Sequence, residues 1–204
     1  MLKKSVFLLS CFISFVASAD DCLDYKLTPN VNIITPTWQK TVVQPLKHMD
    51  VLHGNVIATM IDEYEITSDI TSIEDGFCIA IKNIDVTIGY SDFLVQIDIS
   101  HQPNTCSYNA ILSHEDEHIR AYLSVFDNNQ DLIKKSIYSA ADSIIPIFVK
   151  NESDIESAID KLNEKIQNHP DIILLKQHLK ADEEIQNKHV DENDNGERLK
   201  KCFE

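Results

Sequence analysis

Basic residues are scarce in this chain. Lysine and arginine together number 18, against 33 aspartates and glutamates, and the formal net charge is −15. Nucleic acids and anionic lipid surfaces attract basic patches, so this balance argues against both as partners. Solubility alone is a sufficient explanation for so acidic a surface.

Long apolar runs are absent outside the N-terminal region, so no later stretch is expected to span a membrane. Near the N-terminus, two lysines precede an apolar run at residues 6–16, and the small residues 17–19 follow it. This order is typical of a secretory signal peptide. We therefore expect residues 1–19 to be removed, which takes the net charge from −15 to −17 because two lysines are lost. The expected location is periplasmic or secreted, without membrane attachment after cleavage; a lipoprotein signal ending at Cys11 is the weaker alternative.

A C-x-x-C pair is also absent, which argues against a cysteine-based zinc site. Without residues 1–19, four cysteines remain. An even number in an exported chain predicts two disulfide bonds, although four cysteines allow three pairings. We favour a bond between Cys78 and Cys106, at the two ends of one strand region, and a second between Cys22 and Cys202, which would join the chain termini.

The strongest functional signal that is present is a His-Glu-x-x-His motif. His114 and His118 are four positions apart, so on a helix they lie on one face and can reach the same metal ion. Glu115 follows the first histidine, where it can act on a water without occupying the metal. The motif therefore predicts a Zn²⁺ site with His114 and His118 as ligands and Glu115 as the catalytic general base. Asp116 and Glu117 are expected to face solvent.

Strand and helix patterns surround this motif. Residues 93–100 alternate so that one face is much more apolar than the other, as in a strand. Residues 79–88 also alternate, with a phase slip near Lys82 that predicts a bulge or a tight connection between strands. After the motif, apolar residues recur at helical spacing over residues 132–144, 155–166 and 173–179. The sequence thus predicts an α+β fold in which a small, mainly antiparallel sheet is followed by the motif helix and a helical C-terminal half.

A strand that leads through a short turn into a His-Glu-x-x-His helix resembles the zincin metallopeptidases, and residues 77–126 carry this resemblance. The chain also resembles small secreted zincin-like families of bacteria that lack an assigned substrate. The resemblance implies that an edge strand beside the active-site helix holds extended polypeptide by main-chain pairing.

The third zinc ligand is left open by the sequence. A glycine and a third histidine do not follow His118, so the chain departs from the metzincin pattern. The resemblance then implies a carboxylate further along the chain, as in gluzincins. The candidates are Asp142, His178, Glu183 and Glu184, depending on where the chain turns back.

The sequence predicts a single zincin-like domain at residues 20–180 and a polar, acidic tail at residues 181–204. Within the tail, the residues from Asp191 to Gly196 match the first ligand positions of a calcium-binding loop. Cys202 stands where that loop needs a bidentate glutamate, so a flexible tail is favoured.

Three functions are compatible with these observations. The first is an exported zinc-dependent hydrolase, in particular a metalloendopeptidase that uses a zinc-activated water on a polypeptide substrate. The alternative is a non-catalytic periplasmic or secreted binding protein on a zincin-like scaffold. A third possibility is attachment to an envelope assembly through the acidic tail.

Outside the motif, His48 and His53 are expected at the surface. The spacing of Tyr108, Tyr122 and His101 does not distinguish them from residues that only pack in the core.

Overall fold

The computed structural model describes residues 19–45, 47, 48 and 53–204. The expected signal peptide and Cys11 lie outside these residues, apart from residue 19. The described residues form five strands, β1 (Asn30–Ile34), β2 (Gln39–Val43), β3 (Gly54–Ile73), β4 (Gly76–Ile97) and β5 (Ile147–Val149). They also form five α-helices, α1 (Cys106–Asn128), α2 (Gln130–Ser143), α3 (Ile155–Gln167), α4 (Pro170–Asp194) and α5 (Glu197–Lys200). The predicted α+β class is confirmed. Among these helices, none has the length and apolar character needed to cross a membrane.

β4 is the central strand of the sheet. β3 runs antiparallel to it, from Gly54 opposite Ile97 to Ile73 opposite Gly76. β1 and β2 pair with β4 in parallel, and β5 pairs with it antiparallel. Half of the strand pairings are therefore parallel, and the predicted mainly antiparallel sheet is not supported. The parallel strands come from residues 30–43, where Pro36 and turn-forming residues leave no alternation long enough to predict a strand.

Of the two explanations given for the phase slip in residues 79–88, the pairing of β3 with β4 supports the bulge, because β4 is continuous there. Thr67 lies opposite Asn83, whereas the next residue, Ser68, lies opposite Ile81. Lys82 is therefore the extra residue on β4. A second register shift follows Thr59 of β3. Such irregularities bend and twist a long hairpin, so this one can follow the helices that pack on it.

One continuous core joins β4 to the helices. Its largest fully buried side chains come from β4, α2, α3 and α4, and are Ile79, Ile84, Val86, Ile88, Phe93, Ile97, Ile133, Ile137, Leu162, Ile166, Ile172 and Leu175. Each side chain of this kind stabilises the fold by roughly 1.5–3 kcal/mol relative to exposure. α1 adds Ile111, Ile119 and Val125 to the same cluster. Because α1 is packed into this core, the motif lies on a rigid element.

Two disulfide bonds form, but both predicted pairings are wrong. Cys22 is bonded to Cys78, and Cys106 is bonded to Cys202. Cys22 lies in a 3₁₀ turn, Ala19–Tyr25, that packs beside β4 and β5. Cys106 is the first residue of α1, and the chain returns to that end of the helix after α5. Two disulfides are compatible with a protein from an oxidising compartment.

Residues 181–204 differ from the expected flexible tail. α4 continues as a helix to Asp194, and the chain then reverses through Asn195 and Gly196, whose φ angles are 42° and 71°. In α5, Arg198 Nη2 lies 2.6 Å from Glu117 Oε1 of α1. The residues considered for a calcium loop are thus the end of α4 and the reversal after it. The segment packs on the motif helix.

Candidate metal centre

The His-Glu-x-x-His motif lies in the middle of α1. Thr105 caps the helix, since its Oγ1 accepts a hydrogen bond from the backbone N–H of Tyr108 at 3.3 Å. Ile111, Glu115 and Ile119 are spaced four apart and all are buried. This stripe therefore faces the core, and it carries Glu115 inward. The two histidines of the motif lie beside the stripe and contact α4.

Three donor atoms converge between α1 and α4. His114 Nε2 lies 3.1 Å from His118 Nε2, and Asp191 Oδ1 lies 3.2 Å from His118 Nε2 and 3.3 Å from His114 Nε2. In a tetrahedral zinc site with bonds of about 2.0–2.1 Å, neighbouring ligand atoms are about 3.3 Å apart. Two imidazoles and a carboxylate at these separations are a donor set that fits zinc with a fourth position left for water.

A second layer of side chains surrounds the two imidazoles and orients that of His118. His118 Nδ1 lies 2.8 Å from Asn187 Oδ1, and the amide of Asn187 is itself fixed because Nδ2 donates to the carbonyl of Glu183 at 2.9 Å. Asn187 Oδ1 can only accept, so the proton of His118 is on Nδ1 and the lone pair of Nε2 points to the convergence point. His114 Nδ1 lies 3.3 Å from Asp194 Oδ2, at an ion-pair separation without hydrogen-bond geometry.

Asp194 and Arg198 connect this layer to α5. The carboxylate of Asp194 is 9 % exposed, and its Oδ1 lies 3.2 Å from Arg198 Nε. The same guanidinium bonds to Glu117 and, at 3.2 Å, to Ser113 Oγ. The buried carboxylate is therefore paired, as buried charges generally must be. Glu117 was expected to face solvent, but its carboxylate accepts a hydrogen bond from Arg198 of α5.

Glu115 is the most buried carboxylate at the site, with 4 % of its surface exposed. Burial raises the pKa of Glu115 to about 7; the nearby charges of Asp191 and Asp116 also raise it, and His118 opposes them. A general base is most effective when its pKa is close to the working pH. This environment therefore suits proton transfer near neutral pH.

A cavity of about 550 Å³ opens in front of these groups. It is lined by His53, Gly54, Asn55, Val56, Ala110, Ile111, His114, Glu115, His118, Tyr122, Asn187, Asp191, Asp194, Asn195, Gly196 and Leu199. The first four belong to the start of β3 and the residue before it. The site is thus a cleft between one end of β3, the motif helix and the end of α4.

Gly54 allows β3 to approach Glu115 closely. A Cβ atom at this position would lie 2.4 Å from Glu115 Oε1 and 2.5 Å from Ile111 Cγ2. Gly54→Ala is therefore expected to displace Glu115 and to cost about 1–3 kcal/mol of unfolding free energy, as overpacking does. The loss would be measured by thermal or urea unfolding. An unchanged stability together with an unchanged Glu115 environment would contradict this close contact.

The four predicted candidates for the third ligand do not join the donor cluster. Asp142 pairs with Lys26 at 3.5 Å, and His178 pairs with Asp182 at 3.5 Å. Glu183 accepts a hydrogen bond from the hydroxyl of Tyr90. Glu184 is exposed on the outer side of α4.

The carboxylate that joins the histidines is Asp191, which the sequence analysis placed in the tail. The sequence contained a signal for Asp191, because Asn187, Asp191 and Asp194 recur at helical spacing and form one polar face of α4.

The sequence analysis also missed the position of His53. It was expected to be an ordinary surface residue, and although exposed, it lies at the mouth of the cavity.

No protein-family model matches this chain, and comparisons with curated proteins and with solved structures find no significant similarity. The geometry by itself defines a candidate metal centre of two histidines and one aspartate. The buried glutamate and the open cleft beside it are the features from which a function can be inferred.

Proposed function

We propose that this protein is an exported zinc-dependent hydrolase, and more specifically a metalloendopeptidase of the zincin type. The observation that carries the proposal is the convergence of His114, His118 and Asp191 at the separations of a tetrahedral zinc site, with buried Glu115 beside them in an open cleft. Catalytic zinc sites combine three protein ligands with one open position in this way. A structural zinc site is closed by a fourth protein ligand.

Each residue has a role in this proposal. His114, His118 and Asp191 hold zinc, which when bound acidifies water and polarises a carbonyl group. Asn187 keeps the proton of His118 on Nδ1, so that its other nitrogen remains a ligand. Glu115 accepts a proton from the attacking water and later gives it to the leaving amine, as a general acid and base does.

The proposed substrate is an extended polypeptide. Within the described residues, β3 pairs with β4 only, so its outer edge has unpaired backbone groups that another strand could use. The start of this strand, from Gly54 to Val56, lines the cleft. A peptide added to that edge would therefore pass the motif helix. The signal-peptide pattern at residues 1–19 and the two disulfides support a periplasmic or secreted location.

Zinc binding by Asp191 provides the test of this proposal. Asp191→Asn is expected to weaken zinc binding by more than about 100-fold, since the loss of even an outer partner of a ligand costs about 10–100-fold. Zinc affinity would be measured by competition with a chromogenic chelator, and the fold would be checked by circular dichroism.

Glu192→Gln is the matched control. Glu192 is the next residue on α4, its side chain is 56 % exposed, and it pairs with Lys188 at 3.5 Å. We expect its replacement to leave the zinc affinity unchanged. Equal affinities for Asp191→Asn and the wild-type protein would contradict the assignment of Asp191 as a ligand. No zinc uptake by the wild-type protein would contradict the whole proposal.

A further inference from the structure

Two histidines form a pair at the edge of the cleft, outside the metal centre. His53 Nδ1 lies 3.0 Å from His101 Nε2, and the two rings meet edge to face at 5.1 Å between centroids. His53 precedes β3 and lines the cleft, whereas His101 lies in the turn after β4. The pair therefore links two segments that are 48 residues apart in the chain.

His101 is firmly held in place. Only 7 % of its surface is exposed, and its backbone carbonyl accepts a hydrogen bond from Gln44 Nε2 at 2.7 Å. Its backbone N–H donates to the carbonyl of Asp98 at 3.0 Å, and the N–H of Asp98 donates to the carbonyl of His53 at 2.9 Å. These bonds fix both backbone segments. The ring of His53 is thus attached to a rigid support.

Proton placement in this pair determines what His53 can do. Burial lowers the pKa of His101, and the neighbouring His53 lowers it further while Asp98 opposes the shift. The net lowering of its pKa favours a neutral His101. The contact between the rings uses Nδ1 of His53, so Nε2 is the ring nitrogen that this contact leaves unused. When His101 is the donor between the rings, neutral His53 carries its proton on Nε2.

The position of His53 relates this proton to the proposed reaction. The next residue, Gly54, lies so close to Glu115 that a Cβ atom there would be 2.4 Å from Glu115 Oε1. His53 thus comes from the sheet side of the cavity, which it lines together with Glu115 and the three donor residues.

We propose that His53 binds the substrate by donating a hydrogen bond from Nε2 to the carbonyl oxygen of the bond that is cleaved, and that His101 is the residue that positions His53. This inference rests on the proposed hydrolase activity. Preorganised donors of this kind stabilise the negative charge that develops on such an oxygen. These two roles give a reason for the arrangement of a buried histidine against an exposed one at the edge of the cleft.

Binding of methylphosphonate to the zinc-loaded protein tests the role of His53 without requiring a known substrate. Its tetrahedral, negatively charged oxygens stand in for the oxygen that His53 would contact. His53→Ala is expected to weaken this binding by about tenfold or more, in line with the loss of a hydrogen bond to a charged group. His53→Gln, which retains an N–H donor, should recover part of the affinity. The zinc affinity should be the same in all three proteins.

His48→Ala is the matched control, because His48 lies in the same part of the chain and contacts Asp98 but does not line the cleft. It should bind methylphosphonate as the wild-type protein does. For His101, replacement by alanine should weaken binding and replacement by glutamine should partly restore it. Such a rescue is not expected if His101 only packs.

Two outcomes would overturn the inference. If His53→Ala loses thermal stability but binds methylphosphonate with wild-type affinity, the contact between His53 and His101 only stabilises the fold. The proposed hydrolase activity is then unaffected. If the wild-type protein takes up no zinc, both the hydrolase and the role of His53 are wrong. The zinc measurement therefore separates the failure of this inference from the failure of the proposed function.

Discussion

Glu115→Gln is expected to lower the hydrolysis of an unfolded protein such as casein by about 10²–10⁴-fold, the usual contribution of a general acid and base. Glutamine has nearly the same shape as glutamate and can occupy the same buried position between Ile111 and Ile119. It cannot accept a proton from water at neutral pH. The zinc affinity should persist, because Glu115 is not among the three converging donors. Release of acid-soluble peptides and chelator competition would measure the two effects.

Asp116→Asn is the control for this experiment. Asp116 is adjacent to Glu115 in the motif, but its Oδ1 lies 2.8 Å from Lys40 Nζ of β2 and it does not line the cleft. Its replacement removes one negative charge from the same helix and should leave hydrolysis within about twofold of wild type, as for a partly exposed ion pair worth less than about 1 kcal/mol. Full activity in Glu115→Gln would show that the proposed base is wrong. A wild-type protein that binds zinc but cleaves no unfolded protein would favour the non-catalytic binding protein.

The part of the site that the sequence predicts is the part that depends on one helix. His114 and His118 converge because they are four positions apart, and this holds wherever α1 lies in the fold. The burial of Glu115 was not predicted, although it also follows from local spacing, since apolar Ile111 and Ile119 lie four positions before and after it. Helical periodicity likewise predicted the helices after the motif.

The third donor could not be predicted because it depends on long-range packing. Asp191 is 73 residues from His118, and its position is set by the length of α4 and the way this helix crosses α1. α4 shows little amphipathic pattern beyond Leu179, because its polar residues face the metal centre on one side and solvent on the other. Polar composition of this kind also describes a disordered tail. The same segment contains Cys202. The wrong third ligand and the wrong partner for Cys202 therefore have one origin, the treatment of this segment as a flexible tail.

The strand pairing in the sheet also depends on long-range contacts that the sequence does not reveal. β3 and β4 are adjacent in the chain and their pairing is local, but β1 and β2 pair in parallel with a strand about 50 residues away. Short strands of five residues that contain few alternating apolar positions carry little information about their partners. The pairing is decided by which edge of β4 remains open once β3 has occupied the other.

Removal of the Cys106–Cys202 disulfide is expected to weaken both the fold and the metal centre. The two disulfides span 96 and 56 residues, so the loss of either is expected to reduce the free energy of unfolding by about 4–5 kcal/mol in the chain-entropy account. Their effects on zinc should differ. Cys106–Cys202 holds the segment after α4 against α1, and α4 supplies Asp191. Without the bond, Arg198 still links the segment to Glu117 and Ser113 of α1, but contacts between partly exposed side chains are weak.

The double variant Cys106→Ser/Cys202→Ser is therefore expected to bind zinc less tightly. If the returning segment is docked in about one molecule in ten, the apparent zinc affinity falls about tenfold. Cys22→Ser/Cys78→Ser is the matched control, because that bond lies at the far end of β4 and should affect unfolding alone. Urea unfolding and chelator competition would be carried out on both variants at a temperature where each is folded. Equal zinc affinities in the two variants would mean that Asp191 is positioned by helix packing, without help from the disulfide.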